Sequence, residues 1–332
     1  MNLATIHAEV VKTLEASADK VANRRKTIAK LAKALERQNA LLVPLLRRRK
    51  AWFSTTQSVT LAADGSVRVQ LFGIDVGKLS LNRSASEPFY EFEPTFSYRE
   101  ALRLPEGPWR WSHHQKDGKT IREYLRRCKG LGRASAENER EIQWQLADAL
   151  KSVHNKALRH LKPVTWNGCF TEVGVAVKLD GATATGNIDL VVRRGIGGQR
   201  GFLTFELKKP GEHELEIALQ QALRYATALD WEANEGGPDN LRNYHAVFGS
   251  NGKRAIKVGA VVVLEDDVRG LVRRTAPSIL RQYWMTPGSS KIDRIGLLLY
   301  KFDPREKKAK SWEWLAGWDA SKRLPPPQTT EI

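Results

Sequence analysis

Residues 172–225 constrain the fold most strongly, because two segments there alternate apolar and polar side chains with a period of two. Such alternation predicts strands that turn one face to a core. Asp189 falls on the polar side of the first segment, opposite to the apolar face formed by Ile188 and its alternate neighbours. Glu206 and Lys208 share the polar side of the second. The pattern therefore predicts two acids and a lysine on neighbouring strands.

Two neighbouring carboxylates repel each other and raise the pKa of one of them unless a cation lies between them. A hard divalent metal ion satisfies this requirement with oxygen ligands. The pair Asp189 and Glu206 therefore predicts a metal site. The alternative is a surface ion pair between Glu206 and Lys208, which contributes under about 1 kcal/mol.

The chain has 332 residues, a formal net charge of +17 and a pI near 9.9. Lysine and arginine on a surface attract phosphate backbones and release counterions on binding, so nucleic acid is the predicted partner. The alternative is a basic surface that serves solubility alone.

The two cysteines, Cys128 and Cys169, exclude a disulfide framework or a cysteine zinc site within one chain. No apolar run has membrane-spanning length, and the first residues lack an apolar signal core. We therefore expect a soluble, cytoplasmic protein that does not act in a membrane.

Residues 3–46 predict one long helix, because apolar side chains recur every seven residues. It carries basic side chains and ends in Arg47, Arg48 and Arg49, which we predict to contact nucleic acid. The alternative is a helix whose stripe packs on the rest of the chain or on a second subunit, forming a homo-oligomer. The stripe consists of Ile6, Val10, Leu14, Val21, Ile28, Leu35 and Leu42.

Residues 51–134 favour strands, beginning with a hairpin around residues 63–65, and are rich in aromatic and basic side chains. Interleaved aromatics and cations suit base stacking and phosphate contacts, so Arg110 and its aromatic neighbours are candidate nucleic-acid contacts. The alternative is that these aromatics form a core.

Residues 136–160 predict a helix with an apolar stripe through Ile142 and Leu146. Glu139 lies on that stripe, so we expect it to face the sheet. The alternative is an acid favoured at a helix start by the macrodipole. A second helix follows Lys208, and on it Gln221 and Tyr225 are four residues apart and therefore neighbours. Further strands are predicted at 258–264 and 295–300, with a helix over 268–283 between them.

The order of Glu139, Asp189, Glu206-Leu207-Lys208 and Gln221-x-x-x-Tyr225 resembles the PD-(D/E)XK nuclease superfamily. The trailing Gln and Tyr are similar to its RecB-like branch. The resemblance covers about residues 135–264. Ile188 stands where the motif name has proline, and the first helix has no RecB-like histidine. A second Glu-x-Lys, at 306–308, lies in a charged segment without the alternating strand or a preceding Asp strand.

The resemblance implies an α/β (α+β) fold with a restriction-endonuclease-like central mixed sheet flanked by helices. A long N-terminal helix and a small β-rich region would precede it. The resemblance says nothing specific about the first 130 residues. Together with the patterns described above, it predicts a basic helical segment at 1–50, an accessory region at 51–134, a nuclease-like domain at 135–320 and a disordered tail at 321–332.

The resemblance also implies roles for individual residues. Asp189, Glu206 and the carbonyl of Leu207 would bind Mg²⁺ or Mn²⁺, with Glu139 at the same or a second ion. Lys208 would orient water and neutralise charge on phosphorus. Gln221 and Tyr225 would position the substrate or the metal shell. Apart from the resemblance, the basic side chains Lys209, Arg224 and Lys178 are candidate phosphate contacts.

The expected function is metal-dependent hydrolysis of phosphodiester bonds in DNA. One alternative is a DNA-binding protein that keeps the nuclease-like fold without catalysis. Another is an oligomeric scaffold assembled by the N-terminal helix. The chemistry is compatible with repair, restriction or antiphage defence.

Overall fold

The structure is a computed structural model of the chain. It describes residues 3–39, 57–61, 67–71, 74–82, 89–104, 107–111, 123–124, 126–128, 138–151, 158, 161, 169–176, 187–196, 199–248, 254–266, 270–284, 292–306 and 308–319. Two compact units divide the chain: a core unit of residues 1–29 and 145–332, and an accessory unit of residues 30–144. The predicted tail at 321–332 and the predicted contacts Arg47, Arg48, Arg49 and Lys178 lie outside the described residues.

The described secondary structure is mixed α/β. The helices are α1 (Leu3–Ala16), α2 (Ala18–Asn39), α3 (Phe96–Ala101), α4 (Asn138–Lys151), α5 (Leu215–Asn234), α6 (Gly237–Val247) and α7 (Leu271–Trp284). The strands are β1 (Gln57–Leu61), β2 (Val67–Leu71), β3 (Ile74–Asn82), β4 (Phe89–Pro94), β5 (Trp109–Trp111), β6 (Cys169–Gly174), β7 (Asn187–Ile196), β8 (Gln199–Leu207), β9 (Lys257–Glu265), β10 (Ile292–Asp303) and β11 (Lys308–Asp319). None of the helices in these ranges combines the length and apolar character needed to cross a bilayer.

The core unit is built on a six-stranded mixed sheet with the order β11-β10-β9-β8-β7-β6. Strands β6, β7 and β8 are antiparallel neighbours, whereas β8, β9 and β10 run parallel and β11 returns antiparallel. The parallel pairs need crossovers, which α5 and α6 supply between β8 and β9 and α7 supplies between β9 and β10. Strand β8 is thus central in the sheet.

Strand β8 is buried on both faces, which corrects the prediction of a strand with only one face in a core. Residues 201–207 are all buried, including Thr204 and Glu206 on the polar side of the alternation. The reason is that α5 packs against β8 and β9. The alternation therefore identified the two faces of β8 correctly, but both faces lie in the interior.

The N-terminal segment is two helices, which corrects the prediction of one helix over residues 3–46. The break is at Ser17, whose N–H donates to the Leu14 carbonyl three residues back at 3.1 Å, a tighter turn than the α-helical spacing of four. On α1 the predicted stripe is buried, from Leu3 to Leu14, and α1 packs on α5. Along α1 the stripe therefore packs on the rest of the chain, which is one of the two alternatives given for it above.

The accessory unit contains an antiparallel sheet with the order β1-β2-β3-β4-β5. Phe92, Trp109 and Tyr124 are buried and in mutual ring contact, with centroids 5.4 to 6.1 Å apart. The Tyr124 hydroxyl donates to the Val76 carbonyl. Trp109 is therefore a core residue, which is the alternative given above for these aromatics, because the rings bury apolar area against one another.

Candidate active site at the end of strand β8

The hairpin of β7 and β8 brings Asp189 and Glu206 together. Leu190 pairs with Phe205, and the register continues as far as Ile196 opposite Gln199. Extended by one residue, this register sets Asp189 opposite Glu206, and directly opposed residues share a face. The start of β7 thus lies beside the end of β8.

Asp189 is bound to the backbone of the second strand. Its Oδ2 accepts a hydrogen bond from the Leu207 N–H at 2.7 Å, and the side chain is half-buried. A hydrogen bond from a backbone N–H stabilises the charged form of a carboxylate. Asp189 therefore fixes the main chain between Glu206 and Lys208.

The Lys208 ammonium joins two side chains from different elements. Its Nζ donates to Glu206 Oε1 at 2.9 Å and to Gln221 Oε1 at 2.8 Å. The Glu206 side chain is only 5% exposed and that of Lys208 19%. Breaking a buried ion pair costs about 3–5 kcal/mol, because one charge is left buried without a partner. The lysine therefore stabilises the Glu206 carboxylate in its buried position.

Gln221 reaches the site because α5 starts at Leu215, soon after β8 ends, and lies across β8 and β9. Tyr225 follows one turn later on α5 and is 5% exposed. Both residues have the helical spacing that was predicted. The structure thus joins Asp189, Glu206, Lys208 and Gln221 in one cluster, with Tyr225 on the same helix.

Backbone contacts hold Lys208 at the end of the strand. Its N–H donates to the Val263 carbonyl of β9 at 3.0 Å, and its own carbonyl accepts from the Tyr300 hydroxyl of β10 at 2.9 Å. Tyr300 is 1% exposed. Tyr300 was missed in the sequence, because it is 92 residues from Lys208 and lies in an apolar strand pattern that gives no sign of a polar role.

Glu139 lies in the first turn of α4, and its side chain is outside what the structure describes. The predicted helix over residues 136–160 is described from Asn138 to Lys151. Its buried stripe contains Ile142 and Leu146, as the spacing predicted. The assignment of Glu139 to the site stays a prediction.

Three of the predicted nucleic-acid contacts lie among the described residues. Arg224 forms an ion pair with Glu9 of α1 at 3.3 Å, and its side chain is one-quarter exposed. Lys209 is exposed and forms an ion pair with Glu212 at 3.2 Å. Arg110 is exposed on β5, in register with Glu91 of β4. Nothing in the sequence pattern identifies Glu9 as a partner of Arg224.

A second charged cluster lies where α2 contacts α5, with Glu232 buried and the neighbouring Arg24 and Arg25 half-buried. Glu232 is 1% exposed, lies 3.9 Å from Arg24 and accepts from the Ala176 N–H at 2.6 Å. The Arg25 guanidinium lies 5.1 Å from the Trp231 ring centroid. Burial raises the pKa of Glu232, against the opposing effect of these donors. The arginines thus act within the fold.

The oxygen donors at the site are of the kind that Mg²⁺ prefers as ligands. Asp189 and Glu206 offer carboxylate oxygens and Leu207 a carbonyl, and Mg²⁺ prefers such hard oxygens and keeps several waters. Within the described residues, no group of three or more His, Cys, Asp or Glu side chains is arranged to hold a metal. Protein ligands from Asp189, Glu206 and Leu207 would therefore leave the remaining positions to water and substrate.

Cys128 is a poor candidate nucleophile. It is buried, and burial raises its pKa to about 11. A thiol that stays protonated at neutral pH is weakly reactive.

No protein-family model, curated protein or solved structure matches the chain.

Proposed function

We propose that this protein is a metal-dependent nuclease that hydrolyses phosphodiester bonds in DNA on a PD-(D/E)XK-like core. The observation that carries the proposal is the Lys208 ammonium, hydrogen-bonded to Glu206 and Gln221 beside Asp189. These side chains come from β7, β8 and α5 and meet at the carboxyl end of a central strand, where open α/β sheets bind ligands. A surface ion pair alone explains neither Asp189 nor Gln221.

Asp189, Glu206 and the Leu207 carbonyl would hold Mg²⁺ or Mn²⁺. When bound, such an ion stabilises charge on the phosphate and lowers the pKa of a bound water. The donor set supports this assignment through its chemistry, since all three groups are hard oxygens, two from consecutive residues of β8 and one from the neighbouring strand β7.

The protein's own residues would orient the phosphate and carry its charge. Lys208 would donate a hydrogen bond to a non-bridging phosphate oxygen and offset the negative charge that grows there. Gln221 accepts from Nζ and so restricts where the ammonium points. Asp189 holds the Leu207 N–H and thereby limits movement of the Glu206 and Lys208 backbone. Each contact reduces the reorganisation needed during reaction.

DNA as the substrate is supported by the net charge of +17. Phosphate neutralisation by lysine and arginine gives binding that weakens steeply with salt. Repair, restriction and antiphage defence are the processes in which such a nuclease would act.

A non-catalytic DNA-binding protein is the second candidate, and one observation favours it. Glu206 and Lys208 neutralise each other at 2.9 Å, so this pair alone does not require a metal. This candidate predicts salt-sensitive DNA binding, no cleavage with any metal, and binding indifferent to Glu206→Gln.

The test is cleavage of plasmid and linear DNA by the purified full chain with Mg²⁺, Mn²⁺ or a chelator. We expect metal-dependent cleavage that falls at least about a hundredfold in Asp189→Ala. Asp239→Ala is the matched control, since Asp239 is 85% exposed on α6 and pairs with Arg242. Cleavage that survives both Asp189→Ala and Lys208→Ala contradicts the site assignment. Binding without cleavage in every metal supports the second candidate.

A further inference from the structure

The accessory unit has its own cleft, formed where β3 and β4 meet α3. It has a volume of about 350 Å³ and is lined by Lys78, Glu93, Thr95, Phe96 and Arg99 among others. Small-molecule sites commonly enclose about 300–1,000 Å³, so the cleft has room for one nucleotide-sized group. Every residue of this lining belongs to the accessory unit.

An exposed aromatic ring lies in the cleft. Phe96 is 61% exposed, and it and Ile217 are the large apolar side chains that stand exposed in the described part of the chain. The Arg99 guanidinium lies 5.1 Å from the Phe96 ring centroid, one turn along α3. Leaving a phenylalanine this exposed forgoes most of the gain from burying its ring. An exposed aromatic face beside a cation offers a platform on which a nucleic-acid base can stack.

The backbone around Phe96 is fixed by hydrogen bonds. The Thr95 N–H donates to the Val76 carbonyl at 3.0 Å, and the Arg99 N–H donates to the Thr95 carbonyl at 3.0 Å. Pro94, the residue before Thr95, is buried. The ring is therefore presented from a defined position, which lowers the entropy lost when a ligand stacks on it.

The charges of the accessory unit favour a polyanion. Residues 30–144 contain 21 lysines and arginines against 13 aspartates and glutamates. In the cleft, Lys78 of β3 is in register with Glu93 of β4, and Arg99 adds a second cation. A cationic cleft with an exposed ring provides phosphate contacts and a stacking platform together, which is how single-stranded nucleic acids are bound without sequence preference.

We propose that the Phe96–Arg99 cleft binds single-stranded DNA by stacking an unpaired base on the Phe96 ring. Lys78 and Arg99 contact the phosphates that flank the stacked base, and Glu93 is placed to accept from a base N–H group. Duplex DNA is a poor occupant because its bases are already stacked and paired. The inference requires no catalysis, since it concerns a surface of the accessory unit and not the cluster around Lys208.

The experiment measures binding of a fluorescently labelled thymidine 20-mer to the full chain by anisotropy, in a chelator so that no DNA is cut. We expect Phe96→Ala to weaken binding about tenfold, since each stacked base contributes about 1–3 kcal/mol. Phe96→Trp keeps the ring and should retain the affinity. Arg99→Ala should weaken binding and reduce the slope of log affinity against log salt by about 0.7, the value for one phosphate contact on a single strand.

Ile217→Ala is the matched control, because Ile217 is 58% exposed but lies on α5 of the core unit. It should leave the affinity unchanged. Thermal melting of each variant checks folding, and exposed substitutions should change stability by less than about 0.5 kcal/mol.

Equal affinity of Phe96→Ala and the parent overturns the proposal, as does equal weakening by Ile217→Ala or a parent that does not bind the 20-mer. Preference of the parent for duplex over single-stranded DNA also overturns it. So does a Phe96→Ala variant that loses binding to a protein ligand but not to the 20-mer, since the partner would then belong to a different class. Failure of cleavage in metal leaves this binding result unaffected, so the nuclease proposal and the cleft proposal fail separately.

Discussion

The chain contains the same three-residue pattern, Glu-x-Lys, at 206–208 and at 306–308, and both copies form an ion pair. At the first copy the side chains are 5% and 19% exposed, for Glu206 and Lys208. At the second they are 54% and 50% exposed, for Glu306 and Lys308. The ion pair itself therefore does not distinguish a candidate site from a solvated surface.

Contributions from other elements distinguish the two copies. At the first, β7 supplies Asp189 to the Leu207 N–H, and α5 supplies Gln221 to Lys208. The second copy spans the turn from β10 to β11, where the Asp303 carboxylate accepts from the Arg305 and Glu306 N–H groups and pairs with Lys310. Those contacts shape a turn. Evidence for chemistry thus comes from convergence of separate elements on one pair.

The largest expected difference between the copies is in activity. Lys208→Ala should lower DNA cleavage about a thousandfold, because removing one preorganised charge donor costs about 10²–10³ in rate and the Glu206 carboxylate also loses its partner. Lys308→Ala should leave cleavage unchanged. Initial rates on plasmid DNA in Mg²⁺ check both. Similar losses in the two variants would remove the basis for preferring the first copy.

A double-mutant cycle on each pair measures the difference in coupling. We expect about 2 kcal/mol of interaction free energy between Glu206 and Lys208, because the pair is largely removed from water. For Glu306 and Lys308 we expect less than about 0.5 kcal/mol, since both side chains are half-exposed. Denaturant unfolding of the single and double alanine variants provides the values. Equal coupling in both pairs would show that burial of the first has no energetic consequence.

Tyr300→Phe tests whether support of the Lys208 backbone matters to the site. The hydroxyl donates to the Lys208 carbonyl at 2.9 Å, and its loss should lower kcat about tenfold with little change in KM, because the ammonium is less well positioned. Tyr244→Phe is the control, since it removes a buried hydroxyl bonded to Glu232 at 3.0 Å. That variant should lose about 1 kcal/mol of stability and keep kcat. A tenfold loss in Tyr244→Phe too would assign the effect to general destabilisation.

Much of the site around Lys208 could be predicted from the sequence, because its geometry follows from local periodicity. The β7–β8 alternation put Asp189 and Glu206 on polar faces, and helical spacing put Gln221 and Tyr225 one turn apart. The register of β7 and β8, in which Leu190 pairs with Phe205, also sets Asp189 opposite Glu206. Local rules suffice where a site is built from a hairpin and the next helix.

The rest depends on contacts between distant segments. The contacts that Tyr300, Glu9 and the half-buried Arg24 make result from tertiary packing, which periodicity in the sequence does not report. Strand β11 was not predicted because charged and tryptophan residues interrupt its alternation, and its pairing depends on Gly296, where a Cβ would lie 1.9 Å from the Trp314 ring. Helix α6 begins at Gly237 with a proline in its first turn, a pattern that reads locally as a loop.

The smallest expected effect concerns a third kind of charge cluster, in which Arg273 of α7 binds two carboxylates. Its guanidinium donates twice to Asp266, at 2.7 and 2.8 Å, and twice to Glu313 of β11, at 2.8 and 3.0 Å. These hydrogen bonds lower the pKa of both carboxyl groups below their ordinary values of 3.8 and 4.5. A carboxyl whose folded pKa is lowered contributes stability above its unfolded pKa, and that stability is lost as pH falls through the folded pKa.

Arg273→Ala should therefore lower the free energy of unfolding by about 1 kcal/mol at pH 7, a value reduced for solvent screening because Glu313 is half-exposed. The difference from the parent should shrink as pH falls from 5 towards 3, leaving only the pH-independent loss of packing. Lys308→Ala should show no measurable difference at either end of this range. Unfolding curves at stepped pH check both variants, and a gap that stays constant or widens in acid contradicts the assigned origin. If the gap shrinks in acid as expected, bidentate hydrogen bonding, rather than an ion pair alone, gives an exposed charge a measurable role in this protein.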